Sequence, residues 1–172
     1  IGKKKLSVLF LNNSNIASIE NDTFNGLYSL RTLHLGSNRI TELKGHEFNQ
    51  TKLLKELYMD HNAIGHVDNS TFASVTSLKS LHLEHNKIRD IDPEMFRSTH
   101  PNIGHVYLEG NSWTCNCDNI NKLETWMKAN GEDLTKMFCL NGSKSFGNLT
   151  VAEVVDKCYG LIQTNTVPSE NQ

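Results

Sequence analysis

The chain predicts an α/β solenoid, in which short parallel strands stack along one side of a coil that is closed at one end by a small helical lid. Three observations carry this. A phrase of 24 or 25 residues, L-x-x-L-x-L-x-x-N-x-I, begins at Leu6, Leu30, Leu54, Leu78 and Ile103. Each copy contains an L-x-L pair, the mark of a strand with one apolar face. All four cysteines, Cys115, Cys117, Cys139 and Cys158, fall after the last such pair. A unit of this length cannot bury its own apolar side, so it must stack on a neighbour.

From each starting residue, apolar side chains recur three, five, ten and thirteen positions on. They are Leu9, Leu11, Ile16 and Ile19; Leu33, Leu35, Ile40 and Leu43; Leu57, Met59, Ile64 and Val67; and Leu81, Leu83, Ile88 and Ile91. The fifth copy keeps Val106 and Leu108 and then stops. The pattern is that of a leucine-rich repeat, and it predicts a horseshoe fragment with a parallel sheet on its concave face. Strand side chains alternate, so Leu33 and Leu35 point inward while His34 points out. The asparagine of each phrase (Asn38, Asn62, Asn86, Asn111) falls where the chain leaves the strand, and its amide can bond backbone groups that the turn leaves unpaired. Ser14 stands there in the first copy, and its hydroxyl can do part of that work. Phe24, Phe48, Phe72 and Phe96 follow ten residues later, large enough to fill the wider convex side.

The segment after Asn111 predicts a lid. Trp113 takes the place of the repeat isoleucine and should pack on the stack. Asp118 is placed to cap a short helix along which Ile120, Leu123, Trp126 and Met127 have helical spacing, with Asn130-Gly131 as its stop. Thr150-Val151-Ala152-Glu153 fits a capping box that opens a second helix. A stack needs such a closure, because its last unit otherwise exposes apolar surface. The organisation expected is repeats over 1–111 (four full copies and a partial fifth, open at the N-terminal end), a cysteine-rich cap over 112–159 and a flexible tail over 160–172.

A length of 172 residues, 37% hydrophobic content and a formal charge of −2 fit one globular domain and point away from nucleic acid. Lys3, Lys4 and Lys5 are too short a run for a phosphate-binding patch. No apolar run is long enough to insert in a membrane, and no secretory leader opens the chain, which reads as a mature or trimmed segment. Six N-x-[ST] acceptors, at Asn12, Asn21, Asn49, Asn69, Asn141 and Asn148, favour the secretory pathway. In that compartment the four cysteines read as two disulfides. Cys115 and Cys117 are too close to pair comfortably with each other, which leaves two of the three pairings. Zinc is disfavoured, because C-x-C does not match the usual ligand gap and no histidine lies beyond His105.

The run N-S-W-T-C-N-C-D, then L-E-T-W-M, F-C-L-N-G, L-T-V-A-E and a last cysteine at Cys158, resembles the cysteine-rich C-terminal cap of extracellular leucine-rich-repeat proteins, most of all Toll and Toll-like receptors. The likeness covers residues 6 to about 158. It departs from the family's N-P-W at Asn111-Ser112-Trp113. It implies pairing of Cys115 with Cys139 and of Cys117 with Cys158. It also implies the ectodomain of a single-pass cell-surface receptor in innate immune or developmental signalling, with an extracellular protein ligand, and it admits a receptor homodimer. For an insect-type member that ligand would be a dimeric cystine-knot cytokine of the Spätzle kind. The segment would then be a C-terminal slice of a larger ectodomain.

Laid in register, the outward positions form rows. The middle residue of each L-x-L gives Phe10, His34, Tyr58, His82 and Tyr107. Two places on come Asn12, Gly36, Asp60, Glu84 and Glu109, then Asn13, Ser37, His61, His85 and Gly110, and on the opposite flank Arg31, Lys55 and Lys79. Three acids in register weaken a sheet, so a partner is one explanation for them. Aromatic anchors ringed by charge suit a protein interface. The partner-binding residues expected are Phe10, His34, Tyr58, Asp60, His61, His82, Glu84, His85, Tyr107 and Glu109. Five histidines on this face, His34, His61, His82, His85 and His105, raise acid-sensitive binding as an expectation. A glycan on Asn12 would obstruct the first repeat, whereas Asn21, Asn49 and Asn69 lie on returning or convex segments. No nucleophile, phosphate-loop, metalloprotease or paired-acid signature is present, so no enzyme and no cofactor are expected. Nor is a metal site expected of His61, His82 and His85, which no carboxylate or cysteine geometry closes. The alternative function is a secreted matrix or guidance protein of the Slit or small-proteoglycan type.

Overall fold

The computed structural model describes residues 6–99, 102–115, 117–129, 139, 150 and 153–156. Lys3 to Lys5, Asn116, Asn130-Gly131, Asn141, Asn148, Cys158 and the 160–172 tail lie outside them, as do the side chains of Asp118 and Ile120.

Each L-x-L pair forms a three-residue strand: β1 (Val8–Phe10), β2 (Thr32–His34), β4 (Glu56–Tyr58), β6 (Ser80–His82) and β7 (His105–Tyr107). All pair in parallel in the order β1-β2-β4-β6-β7, with Leu9, Leu33, Leu57, Leu81 and Val106 in register. The repeat therefore sets the register residue by residue. A second, two-stranded parallel sheet, β3 (Glu42–Leu43) with β5 (His66–Val67), was not expected from the sequence.

The interior is filled as the pattern requires. Leu33, Leu35, Ile40, Leu57, Met59, Ile64, Leu81, Leu83 and Ile88 are buried. Leu9, Leu11 and Ile16 are only partly covered, because among the described residues no turn stacks outside β1. Opposite the sheet, Phe24, Phe48, Phe72 and Phe96 form a column with ring centroids 5.9, 6.2 and 5.9 Å apart. Trp126 adds a fifth ring, 4.6 Å from Phe96.

The asparagines clasp adjacent turns. Asn86 Oδ1 accepts from Ile64 N–H of the preceding turn at 3.0 Å, while its Nδ2 donates to Met59 O at 3.0 Å and Leu83 O at 3.1 Å. Asn38, Asn62 and Asn111 repeat this arrangement. Ser14 does not, since its hydroxyl donates only to Asn12 O within its own turn, at 3.2 Å.

Trp113 is buried in the isoleucine position, and α1 (Cys117–Ala129) packs behind it with Leu123 and Met127 buried. Asp118 was expected to cap this helix. It lies inside the first turn instead, because helicity begins at Cys117. The Cys115–Cys139 disulfide ties the lid to the segment beyond α1, with alpha-carbons 5.6 Å apart, and Cys117 is disulfide-bonded too. The capping box also forms. Thr150 N–H donates to Glu153 Oε2 at 2.7 Å and Glu153 N–H to Thr150 Oγ1 at 3.2 Å, opening helical residues 153–156 with Val154 and Val155 buried.

Candidate protein-binding face

Five equally spaced strands bring Phe10, His34, Tyr58, His82 and Tyr107 onto one line, and their rings stack. Centroids are 4.4, 4.4, 4.4 and 4.3 Å apart, with planes within 7 to 19° of parallel. The faces of the inner rings therefore cover one another. What the row offers a partner is ring edges: tyrosine hydroxyls, the His34 imidazole and C–H groups. His34, Tyr58, His82 and Tyr107 are half-buried accordingly, while the terminal Phe10 is 66% exposed. Burial among these rings, with Glu56, the Tyr107 phenol, Asp60 and Glu84 nearby, pushes the Tyr58 hydroxyl pKa above its ordinary value.

The acidic row is more closely engaged than the sequence suggested. Glu84 Oε1 lies 3.0 Å from His82 Nδ1, and His82 Nε2 lies 3.2 Å from Ser80 Oγ, so both ring nitrogens are held. Glu84 Oε2 is shielded from solvent and has no hydrogen-bond partner among the described residues. Asp60 Oδ2 lies 3.1 Å from His61 Nδ1. The Asp60 carboxylate occupies the space above Gly36, where an added Cβ would sit 2.6 Å from Oδ1. Glu109 is half-buried at the cap end of the row.

The next row carries backbone strain that residue types do not advertise. Asn13, Ser37, His61, His85 and Gly110 all adopt positive φ, between 52 and 68°. Only Gly110 does so without steric cost. His61 and His85 lie ring to ring at 4.5 Å, tilted by 35°, and the His85 ring lies in the space beside Gly110. On the other flank, Arg31, Lys55 and Lys79 each give their backbone N–H to the preceding turn, at 2.7 to 2.8 Å. None of the three has an ion-pair partner among the described residues. His105 lies at the cap end, its ring 6.2 Å from that of Tyr107.

The structure thus brings all ten expected partner-binding residues onto one face of the sheet and its strand ends. No group of three or more His, Cys, Asp or Glu side chains among the described residues is arranged to hold a metal ion. No helix among them is long and apolar enough to cross a membrane. A groove of about 650 Å³ lies elsewhere, between α1 and the 3₁₀ turn Pro93–Phe96, lined by Asp92, Glu94, Lys122, Trp126 and neighbours. Of the acceptor asparagines, Asn12, Asn21 and Asn69 are exposed. Asn49, expected to accommodate sugar easily, is half-buried with its Oδ1 held by Ser74 Oγ at 2.9 Å.

A leucine-rich-repeat family model matches residues 4–64 and 52–112. The chain belongs to the leucine-rich-repeat family. Among curated proteins none matches it. Among solved structures it is similar to the crystal structure of the leucine-rich repeat domain of APL1B, at TM-score 0.62 and 25% sequence identity over 66% of this chain. That match covers 33% of the other chain, so this one spans about a third of its length. Leucine-rich-repeat domains are generally non-enzymatic scaffolds that bind protein partners.

Proposed function

We propose that this leucine-rich-repeat segment is a non-catalytic, protein-binding part of an extracellular receptor, and that the sheet face is its contact surface. The row of five stacked rings between a basic and an acidic flank carries the reading. Such a row offers hydrogen-bonding edges at fixed spacing, pre-ordered before a partner arrives, which lowers the entropic cost of association. The Cys115–Cys139 disulfide and the six glycan acceptors support an oxidising, secretory setting. The resemblance of the cap to Toll-like receptors supports a single-pass ectodomain in innate immune or developmental signalling. Its ligand would be an extracellular protein, a cystine-knot cytokine of the Spätzle kind if the receptor is insect-type, with a receptor homodimer as the signalling state. A secreted Slit-like or proteoglycan-like protein would use the same face. Sequencing the full transcript separates the two: a membrane span with a signalling domain supports the receptor, further extracellular modules the secreted protein.

The binding test is direct. The secreted fragment is immobilised and titrated with a dimeric cystine-knot cytokine, comparing Tyr58→Ala and Tyr107→Ala with Tyr28→Ala, an exposed tyrosine outside the ring row. Loss of binding in the first two and retention in the third is expected. Retention in the first two with loss in the third would move the contact off the sheet.

A further inference from the structure

The two charged flanks restrict what can lie on this face. From the Arg31 row to the Asp60 row is five residues along the strand direction, about 16 Å at 3.2–3.4 Å per residue. Along the solenoid axis the charges recur every strand, about 4.8 Å apart. Cations occupy the second to fourth turns (Arg31, Lys55, Lys79) and anions the third to fifth (Asp60, Glu84, Glu109). Glu56, beside Lys55, accepts from Thr32 Oγ1 at 3.3 Å and keeps its charge, so the three cations against this one anion leave the basic flank net positive. Between the flanks runs the row of ring edges, with the hydroxyls of Tyr58 and Tyr107 among them.

We infer that the face takes one α-helix laid along the solenoid axis, with anionic side chains on one flank, cationic side chains on the other and hydrogen-bonding residues between. The match is metrical. A helix repeats its flank every turn, about 5.4 Å, so three successive turns stay within about 1.2 Å of three successive strands. Its width of about 10–12 Å, side chains included, leaves about 2–3 Å on each side, which the Arg, Lys, Asp and Glu side chains of the two flanks can close. An extended strand presents one flank only every second residue, about 6.6 Å, and loses register after one step. The offset of the flanks by one turn adds a detail. The partner's cationic stripe sits one helical turn nearer the disulfide lid than its anionic stripe.

This rests on the sheet face being the binding surface, and the test separates the two ideas. The probe is a synthetic helical peptide of about six turns with three glutamates along one flank and three lysines along the other, shifted by a turn. Its control has the same composition with the charges dispersed around the helix. Fluorescence anisotropy should show the striped peptide binding at least about tenfold more tightly than the control. Reversing the basic row (R31E, K55E, K79E) or neutralising the acidic row (D60N, E84Q, E109Q) should each remove that advantage. Reversing both rows (R31E, K55E, K79E with D60K, E84K, E109K) should restore it, because a helix turned end for end exchanges its flanks. Circular dichroism checks folding of each variant, and the neutralised acidic row decides if the fully reversed protein does not fold. Equal binding of the two peptides, or no binding of either, overturns the helix inference. Loss of cytokine binding in Tyr58→Ala would still leave the face as the contact surface. Binding of a sulfated polysaccharide that depends on the basic row, with striped-peptide affinity indifferent to the acidic row, also overturns it.

Discussion

Replacing Asn86 by alanine should cost the protein a large part of its stability. Asn86 is 6% exposed: its Oδ1 accepts from Ile64 N–H, and its Nδ2 donates to Met59 O and Leu83 O, which also accept from Asn62 and Asn111, and to Glu84 O at 3.3 Å. The Ile64 N–H left buried and unpaired costs about 1–3 kcal/mol, and each lost bond to a carbonyl that keeps another donor about 0.5–1.5 kcal/mol, so the loss is about 2–6 kcal/mol. A domain is stable by about 5–15 kcal/mol, so the loss is a large fraction of the whole. Asn86→Ser should be nearly as severe, because a hydroxyl donates once where the amide donates twice. Asn86→Asp should be no milder at neutral pH, since it keeps the acceptor for Ile64 but sets an oxygen against two carbonyl oxygens. The assay is urea unfolding with disulfides intact, followed by circular dichroism and by the fluorescence of Trp113 and Trp126. At a slope of about 2–3 kcal/mol/M the midpoint should fall by about 1–3 M. Midpoints within about 0.2 M of the parent at unchanged slope, about 0.5 kcal/mol, would refute the clasp as a source of stability.

Other changes should follow the same physics. Phe72, fully buried between Phe48 and Phe96, should cost about 3–5 kcal/mol as alanine, read by thermal or urea unfolding, and distinctly less as leucine. Cys115→Ser opens a loop of 24 residues and should lose about 3 kcal/mol, with the protection of α1 amides from hydrogen exchange falling before that of the sheet. Tyr58 should ionise later than an ordinary tyrosine in a titration of phenolate absorbance, and Tyr58→Phe should remove the late component. Because its folded pKa is raised above 10.0, its contribution to stability is complete below that pH and is lost as pH rises through the folded value.

Much of this was legible before any coordinates. A fixed period converts sequence position into spatial register, so the inward leucines, the phenylalanine column and the outward Phe10-His34-Tyr58-His82-Tyr107 row follow from counting. Counting does not give ring orientation. That row reads as a line of aromatic anchors, whereas stacking hides the inner faces and leaves edges. Nor does it give side-chain pairing. The two central acids read as free charges, while Asp60 and Glu84 lie against His61 and His82. The left-handed backbone at Ser37, His61 and His85 was invisible because these positions carry no glycine, and neighbouring turns impose the conformation. β3 and β5 are two residues long, too short to show any alternation.

The two ring columns are spaced unequally, and that inequality acts like the two layers of a bimetal strip. Rings on the sheet side advance 4.3 to 4.4 Å per turn, and phenylalanines on the opposite wall advance 5.9 to 6.2 Å. Each turn must therefore fan outward, and the bulk of the outer wall sets how sharply the inner surface curls. A smaller side chain in the phenylalanine column would flatten the arc and splay the charged flanks. Evolution could thus reshape the cradle for a new partner by changing residues that the partner never touches.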